Sequence, residues 1–186
     1  MSPRRSAFAL VAANLALALP LASAATKRPR APEFPSQDAA RWIGPPQSMA
    51  ELRGRVVLLD VWTFDCINCV RTIPWVKEVA RRYEARGLTV VGVHTPEFDH
   101  ERNREAVAAR ARKHSLDFSH FLDNDYQYWN ALDNQYWPAI YLVDRCGQLR
   151  SKATGEVHVN EATGRQLEQA IESLLAETPL DCGSPK

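Results

Sequence analysis

The sequence lacks the motifs of several large functional classes. It contains no G-x-G-x-x-G string, no P-loop and no H-E-x-x-H string, so nucleotide binding and zinc-protease chemistry have no motif support. An excess of one charge is also missing, because 23 Lys and Arg stand against 22 Asp and Glu. A net charge of +1 argues against a protein held to nucleic acid by charge. Neither a nucleotide nor a nucleic acid is expected as a partner.

Glycine is scarce, with 8 residues, and no internal repeat is present. A hydrophobic fraction of 45% with 24% charged residues argues against disorder. The length of 186 residues fits one globular domain, and a second domain is not expected.

The N-terminus has the pattern of a secretory signal peptide. Arg4 and Arg5 precede an apolar stretch from Ala7 to Ala24 that is broken by Pro20 and ends on small residues. This predicts a signal peptide over residues 1–24 and export to the periplasm, where disulfides persist. The alternative is an uncleaved helix that anchors the chain to the membrane, although spanning needs ~20 apolar residues.

The rest of the chain alternates between strand and helix patterns. Strands are predicted at 56–62, 88–93, 118–122, 140–143 and from 149, and helices at 70–83, 102–114, 126–132 and 161–176. This order predicts an α/β layer fold with parallel strand pairs early and an antiparallel hairpin late. We expect a loose N-terminal lead over 25–40, the folded domain over 41–177 and a C-terminal tail over 178–186.

The candidate chemistry lies in Cys66-Ile67-Asn68-Cys69. Such a pair is half of a zinc site, a structural disulfide or a redox couple. Structural zinc needs four ligands, and Cys146 and Cys182, 36 positions apart, do not form a second C-x-x-C. A disulfide across so short a loop removes little chain entropy. The redox interpretation is favoured, while zinc and a structural disulfide stay open.

The position of the pair supports redox chemistry. A buried strand passes into a helix at Cys66, which places this residue among unpaired N–H groups at the positive end of the helix dipole. These groups favour the thiolate, which is the attacking species. Cys69, one turn later, is expected to be shielded and to resolve the mixed disulfide.

Asp60 is an acid within an apolar run. Burial as a charge is costly, so its pKa is expected to rise toward neutrality, which suits a proton donor and acceptor. The alternative is an acid at a strand end that reaches solvent, and the pattern alone does not separate the two.

These residues together resemble a known family. Asp60, Trp62, Cys66, Cys69 and Pro74 have the spacing of thioredoxin-fold proteins. The chain resembles the exported TlpA/ResA-like branch, and most closely the thioredoxin-like domain of the DipZ type, over about residues 31–176. Further strings carry the likeness: Trp62–Cys69, Val93–Phe98, Leu122–Tyr126 and Tyr136–Ala139.

The resemblance implies a thioredoxin-like three-layer fold, with a mixed central sheet flanked by helices and a TlpA-like strand and helix insertion over 97–135. It implies that Cys66 is the nucleophile, Cys69 the resolving thiol and Asp60 the buried acid that manages the proton of Cys69. It also implies a cis-proline at Pro138 that faces the couple, with Trp137 shaping the partner groove. Pro74 would kink the active-site helix.

The sequence also departs from thioredoxin. Asp65 replaces the tryptophan before the first cysteine, and an acid there is expected to oppose the Cys66 thiolate. The Ile-Asn pair between the cysteines leaves the direction of electron flow open. Glu97 is expected to close a strand near the site and to be a second proton relay, whereas His94 is expected to be packed.

The resemblance also suggests a structural role for the other two cysteines, Cys146 and Cys182. In this fold Cys146 lies in the last hairpin turn and the final helix runs back toward it. We therefore predict a structural Cys146–Cys182 disulfide, worth ~3–4 kcal/mol in the chain-entropy model.

The function implied is that of an exported thiol–disulfide oxidoreductase. It would reduce disulfides in protein partners, for example during cytochrome c maturation, with a membrane thiol donor and without cofactor or metal. The alternatives are a periplasmic oxidase or isomerase, a thiol peroxidase of the AhpC/TSA type and a non-enzymatic disulfide-stapled binding module. The peroxidase motif P-x-x-x-T-x-x-C is met at Thr63 and Cys66 but not at Leu59.

Overall fold

The computed structural model describes residues 28–178. Its centre is a six-stranded sheet in the order β1-β4-β3-β2-β5-β6. The strands are β1 (Trp42–Ile43), β2 (Val56–Trp62), β3 (Leu88–His94), β4 (His120–Leu122), β5 (Ala139–Val143) and β6 (Leu149–Thr154). The helices are α1 (Ile67–Tyr83), α2 (Arg104–Lys113), α3 (Gln127–Ala131) and α4 (Ala162–Ala176), and short 3-10 turns lie at Ala39–Arg41, Glu84–Arg86 and Asp99–Arg102.

The sheet is mixed, as predicted. β2 runs parallel to β3, and β3 runs parallel to β4. β5 is antiparallel to both β2 and β6. The early parallel pairs and the late hairpin are therefore confirmed, and the architecture is the predicted α/β class.

Two apolar layers cover the sheet. On one face, α1 and α4 bury large side chains such as Trp75 and Ile171 against Leu58 of β2. On the other face, aromatic rings pack together, with Phe34 stacked on Tyr128 at 4.6 Å and Trp42 tilted against Phe121 at 5.3 Å. Each fully buried large side chain contributes about 1.5–3 kcal/mol. Together the sheet and its two covers form the expected three layers.

The N-terminal lead differs from the prediction. We expected a loose segment over 25–40, but Ala31 and Phe34 are buried in the aromatic layer and Arg30 forms a β-bridge with Gln148. The reason is that single apolar residues between prolines carry no periodic pattern, yet they fill a groove on the open sheet face. β1 was not predicted either, because two residues have no readable period, and it pairs antiparallel with β4.

Helix α1 begins directly after Cys66, as predicted. Cys66 is its N-cap, with extended backbone, and Pro74 lies inside the helix, where it removes one i to i−4 hydrogen bond. A 3-10 turn follows, and Gly87 ends it with φ of 103°. This left-handed conformation favours glycine, as the predicted C-cap required.

The ends of the chain lie outside the described residues. These include the predicted signal peptide at 1–24 and most of the tail predicted at 178–186. Within residues 28–178, no helix is long and apolar enough to cross a membrane. The signal peptide and the domain boundaries stay predictions.

Candidate redox-active site

The turn between β2 and α1 places the two cysteines at different depths. Cys66 is half-buried at the helix N-cap, whereas Cys69 is only 2% exposed. The backbone N–H of Cys69 donates to Sγ of Cys66 at 3.2 Å. Both side chains are free thiols. A partner disulfide can therefore reach Cys66 first.

The surroundings of Cys66 favour its thiolate. A hydrogen bond from the Cys69 thiol is the largest influence, and the N–H groups of Cys69 and Asn68 add to it. Together they outweigh partial burial and lower the pKa of Cys66 from 9.0 to about 7. The thiol that is reachable is thus also the one ionised near neutral pH.

The surroundings of Cys69 have the opposite effect. Burial raises its pKa, and the hydrogen bond to Cys66 and the nearby Asp60 raise it further. Cys69 therefore stays protonated until a base removes its proton. This agrees with the location expected of a resolving thiol.

Asp60 lies in the middle of β2 and not at its end. It is 3% exposed, so the alternative of an acid that reaches solvent is wrong. Burial raises its pKa from 3.8 to about 7. The carboxyl therefore exchanges protons near neutral pH, within electrostatic reach of Cys69.

The peptide bond between Trp137 and Pro138 is cis, as the resemblance implied. Pro138 is buried and leads into β5, the neighbour of β2. The indole N–H of Trp137 donates to the Thr95 carbonyl at 3.0 Å, and its ring lies 4.2 Å from that of Trp129. Trp137 is thereby held as a wall beside the loop that follows β3.

Glu97 does not close a strand, which corrects the expectation. β3 ends at His94, and Glu97 lies exposed in the loop three residues later. It is nevertheless close enough to raise the pKa of Cys66 through its charge. A role as proton relay stays a proposal.

The Asp65 carboxylate is held by two neighbouring side chains. It contacts Nε2 of His100 at 2.7 Å and Nη2 of Arg110 at 3.1 Å. Arg110 also lies over the Phe64 ring at 5.2 Å. Glu97 is an acid whose charge raises the pKa of Cys66, and the opposition expected from Asp65 stays a prediction.

Sequence reasoning missed Glu101, which is fully buried. Its carboxylate accepts hydrogen bonds from Thr63 Oγ1 at 2.6 Å and from the N–H groups of Asp65, Glu97 and Phe98 at 3.1, 2.6 and 2.8 Å. Burial acts to raise its pKa, but these hydrogen bonds prevail and lower it. The one sequence signal was a Glu three residues after Phe98, which is half of a capping box.

His94 is packed, as expected. Its ring is buried against Trp62 and Phe64, and Nε2 lies 3.4 Å from Thr63 Oγ1. Burial lowers its pKa to about 3, so the ring is neutral at physiological pH.

The structural comparison places this fold among thioredoxin-like proteins. A thioredoxin-like protein solved in its oxidised form matches with a TM-score of 0.70 and 28% identity, over 81% of this chain and 97% of that one. A putative thiol:disulfide interchange protein DsbE from Chlorobium tepidum matches with a TM-score of 0.68 and 24% identity, over 81% and 99%. At that identity the second match supports the fold alone.

The sequence comparison decides the family, because the model of the AhpC/TSA family matches residues 28–152. The chain belongs to the AhpC/TSA family. Among curated proteins, Protein DipZ of Mycobacterium tuberculosis is 43% identical over 124 residues, 66% of this chain and 18% of DipZ. Thiol-disulfide oxidoreductase YkuV of Bacillus subtilis is 29% identical over 148 residues, 79% of this chain and 95% of YkuV.

The chain thus spans less than a fifth of DipZ but nearly the whole of YkuV. With a C-x-x-C couple at the start of α1, the chain has a thioredoxin-like fold and is similar over most of its length to a thiol-disulfide oxidoreductase. The alternative of a thiol peroxidase is also of the AhpC/TSA type, but Leu59 stands where the peroxidase motif P-x-x-x-T-x-x-C has proline.

Cys146 lies in the turn between β5 and β6 and is disulfide-bonded. Its predicted partner, Cys182, lies outside the described residues. The Cys146–Cys182 pairing therefore stays a prediction.

Proposed function

We propose that the protein is an exported thiol–disulfide oxidoreductase that reduces disulfides in protein partners through Cys66 and Cys69. The observation that carries this proposal is the contrast between the two thiols. Cys66 is accessible and has a pKa of about 7, whereas Cys69 is buried and protonated. A dithiol of this kind attacks with one sulfur and resolves with the other.

In the first step, the Cys66 thiolate attacks one sulfur of the partner disulfide. A mixed disulfide forms, the partner S–S bond breaks, and the second partner sulfur leaves as a thiolate that takes up a proton. In the second step, Asp60 takes the proton of Cys69, and the Cys69 thiolate attacks Sγ of Cys66. The Cys66–Cys69 disulfide forms as the bond between Cys66 and the partner breaks, and the first partner sulfur leaves as a thiolate that takes up a proton. The partner is then a dithiol and has gained two electrons.

Asp60 suits the second step because its carboxyl has a pKa of about 7. It can accept the Cys69 proton near neutral pH and return it when the couple is reduced again. Glu97 is exposed beside Cys66 and is proposed as a relay between the site and solvent.

The partner surface is proposed to be the apolar rim of the couple. Three large apolar side chains are exposed next to site residues: Ile67 after Cys66, Phe98 after Glu97 and Tyr136 before Trp137. A contiguous exposed apolar patch is typical of an interaction site, and we propose that these three side chains form one around the couple. With Trp137 and Pro138 as a wall, the rim suits a cysteine-containing protein segment.

The reducing direction, the periplasmic location, a membrane thiol donor and a role in cytochrome c maturation all belong to this proposal. Their support is the predicted signal peptide and the similarity to DipZ and to Thiol-disulfide oxidoreductase ResA of Geobacillus kaustophilus, which is 26% identical over 77% of this chain.

The direction is tested by the reduction potential of the couple. We would equilibrate the purified protein with glutathione buffers and count free thiols by alkylation, with Cys69→Ser as the control that cannot form the internal disulfide. A potential near or below about −230 mV supports a reductant. A potential near about −120 mV identifies an oxidant and contradicts the proposed direction.

A further inference from the structure

One row of side chains crosses the sheet at the level of Asp60. In the strand register, Asp60 of β2 is opposite Gly92 of β3, and Gly92 is opposite His120 of β4. Residues opposite each other in register project from the same face of a sheet. Asp60 and His120 therefore lie on one face, separated by a residue with no side chain.

The His120 ring fills the space that Gly92 leaves. A Cβ at position 92 would lie 2.0 Å from Nδ1 of His120, so this nitrogen occupies the place of the missing side chain. Neighbouring strands are about 4.8 Å apart. Because the nitrogen occupies the place of a side chain on β3, the strand next to β2, a water molecule could bridge it to the Asp60 carboxyl.

The hydrogen bonding of the ring fixes which nitrogen carries the proton. Nε2 of His120 contacts the Leu116 carbonyl at 3.4 Å, and a carbonyl only accepts, so Nε2 is the donor. Burial lowers the pKa of His120 to about 4, which keeps the ring neutral. Nδ1 is then an acceptor, and within residues 28–178 it has no partner.

Asp60 is the matching donor. Near neutral pH a large share of its carboxyl groups is protonated, and burial, not a hydrogen bond from another described residue, is the cause of its raised pKa. A buried acceptor without a partner costs about 1–3 kcal/mol in general. The protonated carboxyl is the group in the same row that can satisfy it.

We propose that His120 is a positioning residue, which accepts a hydrogen bond from protonated Asp60 through one bridging water and holds that carboxyl for proton exchange with Cys69. The proposal rests on the role proposed above for Asp60. Two other titratable groups of the described residues interact electrostatically with this pair. The Cys69 thiol on α1 interacts with Asp60, and the His94 ring on β3 interacts with His120. His94 lies two residues after Gly92 on β3, opposite Trp62 of β2 and Leu122 of β4.

The test is a pH titration by NMR of the oxidised protein, in which Cys66 and Cys69 form the disulfide and do not titrate. We expect the Nδ1 resonance of His120 to shift with the same midpoint as the Asp60 carboxyl carbon. In Asp60→Asn the shift should vanish, while His120 itself stays neutral. A His120 resonance that is unchanged while Asp60 titrates would overturn the proposal.

Two variants extend the test to function. His120→Phe keeps a ring that excludes water but removes the acceptor, so the pKa of Asp60 should fall by about one unit, together with the pH midpoint of the resolving step. His120→Asn retains an acceptor, so the pKa of Asp60 and the pH midpoint of the resolving step should both return most of the way to their values in the unmodified protein. A loss of stability alone would lower the melting temperature without moving either midpoint, and this outcome would also overturn the proposal.

The outcomes separate this inference from the proposed function. If Asp60→Asn abolishes the pH dependence of the resolving step but His120→Phe leaves the midpoint unchanged, His120 has no positioning role and the role of Asp60 stands. If Asp60→Asn leaves that pH dependence unchanged, the proposed role of Asp60 is wrong, and the positioning role of His120 falls with it.

Discussion

The buried carboxylate of Glu101 accepts a hydrogen bond from the backbone N–H of Asp65 at 3.1 Å and so ties the loop after β3 to the residue before Cys66. The same group binds Thr63 and two N–H groups of its own loop. Glu101 thereby joins its own loop to the segment around Cys66, which lies more than 30 residues earlier in the sequence.

We predict that Glu101→Gln destabilises the protein, by about 1–3 kcal/mol, because an amide replaces a charged acceptor of four hydrogen bonds. The folded-state pKa of Glu101 is lowered, so its contribution is present above the unfolded pKa and is lost as the pH falls through the folded pKa. Urea unfolding at neutral and acidic pH measures this. The exposed Glu105→Gln is the control, and equal losses in both variants would contradict the assignment.

Asp60→Asn is predicted to stabilise the protein at alkaline pH. The folded-state pKa lies above the unfolded value, so the stability contributed by the neutral acid is present below pH 4 and is lost as the pH rises to about 7. A shift from 3.8 to about 7 corresponds to roughly 4 kcal/mol at pH 8. Unfolding experiments at pH 4 and pH 8 should show the gain only at pH 8, and the exposed Asp117→Asn should show none.

Glu97→Gln is predicted to lower the pKa of Cys66 below about 7, since the charge of Glu97 raises it. Asp65→Asn is the matched control, because Arg110 and His100 hold that carboxylate. The rate of iodoacetamide alkylation against pH reports the thiolate in each variant. A larger shift in Asp65→Asn than in Glu97→Gln would refute this account of the local field.

Gly92→Ala is predicted to destabilise the fold by about 1–3 kcal/mol or more, because the new methyl group would overlap the His120 ring. His120→Ala in the same chain should recover part of that loss. Chemical unfolding of the two single variants and the double variant gives the coupling. If the losses of stability in the two single variants simply add up in the double variant, the His120 ring does not need the space left by Gly92.

Much of this arrangement could be predicted from the sequence, because it depends on local patterns. The buried run of β2, the face of α1 and the last hairpin have clear periods, and the C-x-x-C at the start of α1 placed the site. The position of Pro138 came from the family resemblance. β1 and the packed lead could not be predicted, since two residues or isolated apolar residues have no period.

Other features of the site depend on contacts between distant segments. The direction of the Asp65 carboxylate is set by Arg110, which lies 45 positions later on α2. The pairing of Gly92 with His120 follows from the register of β3 and β4, which no single segment encodes. Glu101 resembles an ordinary surface acid until the fold surrounds it with donors.

The central claim, that Cys66 attacks and Cys69 resolves, is tested most directly by trapping the mixed disulfide with single-cysteine variants. We would incubate reduced Cys69→Ser and Cys66→Ser with a disulfide-containing protein substrate and separate the products without reductant. The account predicts a stable covalent complex through Cys66 in Cys69→Ser and little complex in Cys66→Ser. Equal trapping by both variants, or full exchange activity in Cys66→Ser, would contradict it.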